Sequence, residues 1–230
     1  MRKPQLVIFD CDGVLVDSEI ISNSVLARSL NCEGLGATLE EARRDYHGLL
    51  MADVVSQAQR KLGRPLPEGW LQRFEGERTA ALRRELQAVP GAAEALRHAG
   101  VAVCVASQGK IEKTQLSLAL TGLRGLFAEK ALFSAREVLR GAPQPDLFLH
   151  AARVMGVAPA RCTVVEDSAR RCHRRRIRPD ARPRVRRREQ RGRPAACRAE
   201  MLPSLAKLPV LLGLDSVQAE TGRRRDPGRR

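Results

Sequence analysis

Aromatic side chains are scarce in this chain: one Trp, one Tyr and five Phe make up 3% of its 230 residues. A core must therefore be built from Leu, Val and Ala. Base stacking has little support, above all between Ser168 and Arg230, where no aromatic residue occurs. Close cysteine pairs are missing as well. Cys11, Cys32, Cys104, Cys162, Cys172 and Cys197 are scattered, which fits reduced thiols better than a disulfide frame or a zinc site. Long apolar runs are lacking too: the start offers only Leu6 to Phe9 before Asp10, too few residues for a signal peptide, and no stretch reaches membrane-spanning length. The expectation is a cytoplasmic monomer with no membrane partner.

Positive charge, by contrast, is abundant and unevenly placed. The formal net charge is +15, yet residues 169–198 hold fourteen Arg and two acids, which leaves +3 for the other 200 residues. The basicity is a local anomaly rather than a nucleic-acid signature spread over a fold. A hydrophobic content of 43% is ordinary for a globular protein, and the length accommodates a large core with an insertion.

Two textures alternate along the chain. Leu6 to Phe9 is an apolar run of strand length, delivering Asp10 and Asp12 onto a turn opened by Gly13. The next seventy or so residues read as helices only. Apolar positions recur at helical spacing from Glu19 to Leu30, and Thr38-Leu39-Glu40-Glu41 forms a capping box opening a helix toward Tyr46. Ala52 to Leu62, stopped by Gly63, and Trp70 to Leu86 complete the set. From Pro90 onward helix and strand alternate: a helix begins with Pro90 near its first turn and closes at Gly100, and a strand runs from Val101 to Ala106. A helix to Leu120, a short strand from Lys130 to Ser134, a helix from Pro145 to Met155 and a strand from Cys162 to Val165 follow. The pattern predicts an α/β fold: a Rossmann-like parallel sheet core, residues 1–16 and 87–214, with an inserted all-helical cap, residues 17–86, and a basic tail, residues 215–230.

An Asp-x-Asp at a strand end reads equally well as an Asp-Gly turn with solvated acids. Its company changes the balance. The strand ends carry Asp10 with Asp12, Ser107, and Glu166 with Asp167, and in a parallel sheet such ends share one crevice. Carboxylates suit a hard divalent cation, and a hydroxyl at a helix start suits a phosphate.

These residues resemble the haloacid dehalogenase superfamily of phosphohydrolases, in the branch with a helical cap after the first strand. The likeness runs from about Leu6 to Ser168: the Asp-x-Asp-Gly-Val-Leu-Val-Asp-Ser-Glu string, Val-Ala-Ser after the second strand, Pro-x-Pro-Asp-Leu-Phe, and Val-Val-Glu-Asp-Ser occur in order. The resemblance implies that Asp10 is the nucleophile and Asp12 the general acid, then base. It implies Mg²⁺ held by Asp10, the backbone of Asp12 and Asp167, with Glu166 supporting, and phosphate bound by Ser107 and Gln108. Glu19, Tyr46, His47 and Gly48 fall where such caps set substrate specificity, although Tyr46 and His47 read equally as packing or solvent-facing residues. Related sugar phosphomutases carry a cap His and a cap Arg. Ser22 and Met51 stand there instead, which favours hydrolysis of a small phosphate ester, sugar phosphates first, over mutase chemistry.

The chain departs from that pattern twice. The family has Gly-Lys-Pro where this sequence has Gly141-Ala142-Pro143, and a missing transition-state donor costs on the order of 10² to 10³ in rate. Arg140 and Lys110 are the nearby cations that could compensate. After Ser168, where the family continues with an Ala-rich helix and a fifth strand, this chain runs into Arg and Pro. With Pro179, Pro183, Pro194 and Pro203 in the way, neither helix nor strand is expected. A shifted reading frame accounts for this: with GC-rich codons read one base later, residues 170–180 become Gly-Val-Ala-Thr-Ala-Ala-Val-Ser-Ala-Arg-Met, close to the family segment. The competing readings are an Arg-rich arm that binds nucleic-acid phosphates and a non-catalytic homologue.

Overall fold

A computed structural model describes residues 3–46, 49, 51–138, 146–167, 184–187, 198–201 and 204–213. Strand β1, Leu6–Phe9, is buried at every position, as a continuous apolar run predicts for a strand covered on both faces. It pairs in parallel with β2, Ala102–Ser107, on one side and with β4, Cys162–Glu166, on the other, and β3, Leu132–Ser134, extends the sheet beyond β2. Because the chain leaves β1 toward one neighbour and returns later to the other, a crevice opens at the carboxyl ends of these strands. The register aligns Phe9 with both Val105 and Val165, so Asp10, Ser107 and Glu166 emerge at nearly the same level.

Helix α5, Ala92–Arg97, precedes β2, and α6, Ile111–Leu120, and α7, Asp146–Val154, lie between the later strands as expected, with ends shifted by a few residues. Pro90 lies outside α5, because Gly91, at φ 83°, takes the cap position. Leu6, Ile8, Phe9, Leu118, Leu123 and Leu147 are among the largest fully buried side chains, and the core is mostly Leu, Val and Ala. Cys11, Cys104 and Cys162 are buried and free, and Cys32 is exposed and free. Among the described residues no helix is long and apolar enough to cross a membrane.

Four helices form between Val16 and Leu86: α1, Glu19–Cys32, α2, Leu39–Tyr46, α3, Met51–Leu62, and α4, Trp70–Glu85. They have their own buried cluster, which includes Leu26, Leu30, Tyr46, Val54, Trp70 and Phe74. The single Trp and the single Tyr both lie here, with Trp70 and Phe74 stacked at 5.5 Å. The capping box at the start of α2 forms in both directions: the Glu41 backbone N–H donates to Thr38 Oγ1 at 3.2 Å, and the Thr38 N–H donates to Glu41 Oε2 at 2.9 Å. The two connections to the sheet run side by side, with Val16 bridged antiparallel to Ala88 and the Asp17 N–H donating to Gln87 O at 3.0 Å.

The Arg-rich region corrects an expectation. Strand β5, Arg184–Arg187, pairs antiparallel with β4, and β6, Arg198–Met201, pairs antiparallel with β5, so the six-stranded sheet is mixed rather than purely parallel. Pro183 and Pro194 fall outside both strands, which leaves every N–H in them able to pair. An antiparallel partner also needs no helical crossover. Gly141-Ala142-Pro143, Arg140 and the 215–230 tail lie outside the described residues.

Candidate active site

Asp10 sits one residue past β1 and is 2% exposed. Its backbone N–H extends the sheet pairing to Val165 O at 2.9 Å, and Oδ1 accepts from the Cys11 N–H at 2.7 Å. Oxygens of Asp10, Glu166 and Asp167 lie within 4.8 Å of one another. Glu166 is fully buried at the end of β4. Gly13 makes room for this cluster: at φ 75° it turns the chain, and a Cβ there would lie 2.1 Å from Asp167 Oδ2 and 3.5 Å from Glu19 Cδ. Three converging carboxylates, two of them buried, are a hard-oxygen donor set that fits a divalent cation such as Mg²⁺.

Asp12 does not belong to that oxygen cluster. Its Oδ1 accepts from Ser18 Oγ and from the ammonium of Lys113, in the first turn of α6. Burial pushes the Asp12 carboxyl up, but Lys113 and Ser18 outweigh it, and the group sits below the ordinary Asp value. Asp12 therefore rests ionised. Cys11, between the two acids, is driven well up by burial and then by Asp12, so it stays a protonated, unreactive thiol.

Ser107 closes β2 and is 1% exposed. Its Oγ accepts from the Gly109 N–H at 3.1 Å, and Ser134 at the end of β3 donates to Gly109 O at 2.8 Å, which braces the loop. A Cβ on Gly109 would lie 3.4 Å from Ser107 Oγ, 3.6 Å from Lys113 Cδ and 3.9 Å from Asp12 Oδ2, so these three side chains surround one small space. Gln108 follows Ser107 in the same loop and is half-buried.

The cap reaches this loop through α4. Lys110, expected as a substitute cation, instead pairs with Glu75 of α4 at 2.7 Å. Lys113, one turn further along, is the lysine that meets a site acid. Arg78, one turn after Glu75, lies over the Phe74 ring at 5.0 Å, and its Nε is buried without a hydrogen-bond partner. Tyr46 packs into the cap core at 4% exposure, with Lys61 over its ring at 5.3 Å. Ser22 lies within α1 and Met51 starts α3. His47 and Gly48 lie outside the described residues. The sequence marks Lys113 and Arg78 only by their spacing, one helical turn from Lys110 and Glu75.

A sheet with a parallel four-stranded centre, helices inserted after its first strand, and carboxylates gathered at adjoining strand ends define the class, an α/β fold with an acidic site at the carboxyl edge of its sheet. The chain belongs to the haloacid dehalogenase-like hydrolase family, whose model matches residues 4–171. It is 30% identical over 169 residues to 6-phosphogluconate phosphatase of Escherichia coli K12, covering 73% of this chain and 76% of that one. It is also 29% identical to hexitol phosphatase A of the same organism, covering 70% and 73%. Among solved structures it is similar to a haloacid dehalogenase family hydrolase of Deinococcus radiodurans with bound phosphate and sodium. That match has a TM-score of 0.59 and 34% identity, and covers 73% of this chain and 74% of that one. A haloacid dehalogenase-like protein of Agrobacterium tumefaciens matches with a TM-score of 0.63 and 34% identity, covering 72% and 75%.

Proposed function

We propose that the protein is a Mg²⁺-dependent phosphohydrolase acting on small phosphorylated metabolites, sugar phosphates foremost, through an aspartyl phosphate on Asp10. The observation that carries this is the meeting of Asp10, Glu166 and Asp167 beside the space bounded by Ser107, Lys113 and Asp12. The relatives named for 6-phosphogluconate and for hexitols support the substrate class, and the bound phosphate in the Deinococcus structure supports the ligand chemistry.

Asp10, Asp167 and the Asp12 carbonyl would hold the metal, with Glu166 supporting. When bound, the cation offsets the repulsion between a carboxylate and a phosphate dianion. Asp10 attacks phosphorus, and the phosphorus–oxygen bond to the leaving alcohol breaks. Ser107 already accepts from Gly109, so its own proton is directed to a phosphoryl oxygen. Lys113 reaches the same space from the other side and supplies a positive charge where the family's lysine is replaced by Ala142. Asp12, ionised at rest, takes up a proton from solvent as the substrate binds, gives it to the departing alkoxide, and later takes one from the water that attacks the phosphoaspartate. An approaching phosphate dianion draws Lys113 away from Asp12 and raises that carboxyl's affinity for the proton.

Release of inorganic phosphate from a panel of phosphorylated sugars, with and without Mg²⁺ and beside an Asp10→Asn variant, tests this reading. Metal-dependent release lost in the variant supports it. Release that persists in the variant, or none from any ester, overturns it. Hydrolysis is preferred to mutase chemistry because Ser22 and Met51 supply neither the cap His nor the cap Arg of the mutases.

A further inference from the structure

Helix α4 carries a cation that the phosphoryl chemistry leaves unused. Glu75 and Arg78 are three residues apart and share a face of that helix. Glu75 meets Lys110 of the loop after Ser107 at 2.7 Å, so this face of the cap is turned toward the site. Arg78 is held with its guanidinium over Phe74, and its buried Nε has no partner. The acids nearest to it in charge terms, Glu75 and Asp12, are already taken, the first by Lys110 and the second by Lys113 and Ser18. A buried donor left unmade is costly, and a guanidinium can take a carboxylate through two parallel hydrogen bonds.

The phosphoryl end of a substrate is served from the core side by Ser107, Lys113 and the acid cluster, whereas Arg78 comes from the cap. Resting on the phosphohydrolase reading above, we infer that Arg78 recognises a second anionic group, a carboxylate, at the far end of the substrate. The site would then prefer sugar-acid phosphates to neutral sugar or hexitol phosphates. Phe74 lies beneath the guanidinium at 5.0 Å, and the Glu75–Lys110 pair ties the cap to the loop after Ser107 while neutralising one of the two acids that would quench Arg78.

Equilibrium binding separates this from turnover. The full chain carrying Asp10→Asn is titrated calorimetrically with 6-phosphogluconate, sorbitol 6-phosphate and inorganic phosphate, and the same is done after adding Arg78→Gln or Arg78→Lys. The expected result is that the sugar acid binds about 10- to 100-fold more tightly than the hexitol phosphate, and that Arg78→Gln erases the difference. Arg78→Lys restores part of it, as a point charge without the fork. Thermal melts of each variant, read with the Arg78→Lys result, separate recognition from loss of folding. An equal loss for all three ligands would assign Arg78 to the phosphoryl group, and no loss for any would make it a packing residue; either overturns the inference. Phosphate release by the native chain is read separately: its failure sinks hydrolysis, while the binding preference stands or falls by itself.

Discussion

Replacing Gly13 with Ala separates the cost of a turn from the cost of a displaced ligand. The added Cβ would stand 2.1 Å from Asp167 Oδ2 and 3.0 Å from its Cγ, contacts that no side chain sustains. Asp167 must rotate away and leave the group of oxygens it shares with Asp10 and Glu166. The backbone adds its own penalty, since φ is 75° and a residue with a Cβ loses roughly 1–2 kcal/mol there. Gly63→Ala is the matched control: its φ is 66° and nothing lies within 4 Å of the new methyl group. Both variants should lose about 1–2 kcal/mol, a shift in Tm of roughly 2–8 °C for a chain of this size. Gly13→Ala alone should lose Mg²⁺ affinity, by about 10- to 100-fold, as displaced site residues typically do. Thermal denaturation over a Mg²⁺ series reads both quantities, because a ligand that binds only the folded state raises Tm with concentration. If Gly13→Ala keeps the native Mg²⁺ response, Asp167 is not a ligand held in place by the absent side chain.

Lys113→Met should lower turnover about 10²-fold in steady-state assays, and a change below about threefold would remove Lys113 from the chemistry. Thr38→Ala should cost about 1 kcal/mol in denaturant unfolding by removing the hydroxyl that accepts from the Glu41 N–H, while the backbone arm of the capping box to Glu41 remains. Asp45, bonded to Arg44 and to Lys61, is lowered to about 2 from 3.8. Its stabilisation is therefore full above about pH 4 and lost as pH falls toward 2, and Asp45→Asn should flatten that limb by less than about 1 kcal/mol because the pair is near the surface. A flattening well above that size would contradict the surface reading.

The parts of the fold that were legible are those encoded locally. Leu6–Phe9 announces a buried strand through four consecutive apolar residues, and Thr38 with Glu41 marks the start of α2 through chemistry three residues apart. The acids at the ends of β1 and β4 could be placed together because parallel register follows from strand and helix alternation. Lys113 could not be placed in the same way: it meets Asp12 across 101 residues of chain, and a lysine in the first turn of an amphipathic helix looks like any solvated cation. Lys110, closer to Ser107 in sequence, serves the cap contact instead. Strands β5 and β6 were invisible for a related reason. Arg184–Arg187 has little intrinsic strand signal, and its pairing is supplied by the edge of β4 rather than by its own residues. Tyr46 shows the limit of the cap reading, since position near a specificity loop does not tell whether a ring turns outward or into the helix cluster.

The account depends most on Asp10 and Asp167 holding one divalent ion, and calorimetric Mg²⁺ titration of the native chain, Asp10→Asn and Asp167→Asn tests that directly. One Mg²⁺ site in the native chain, weakened by about 10²-fold in each variant, is the predicted result. Unchanged Mg²⁺ binding in both variants, or none in the native chain, would contradict it.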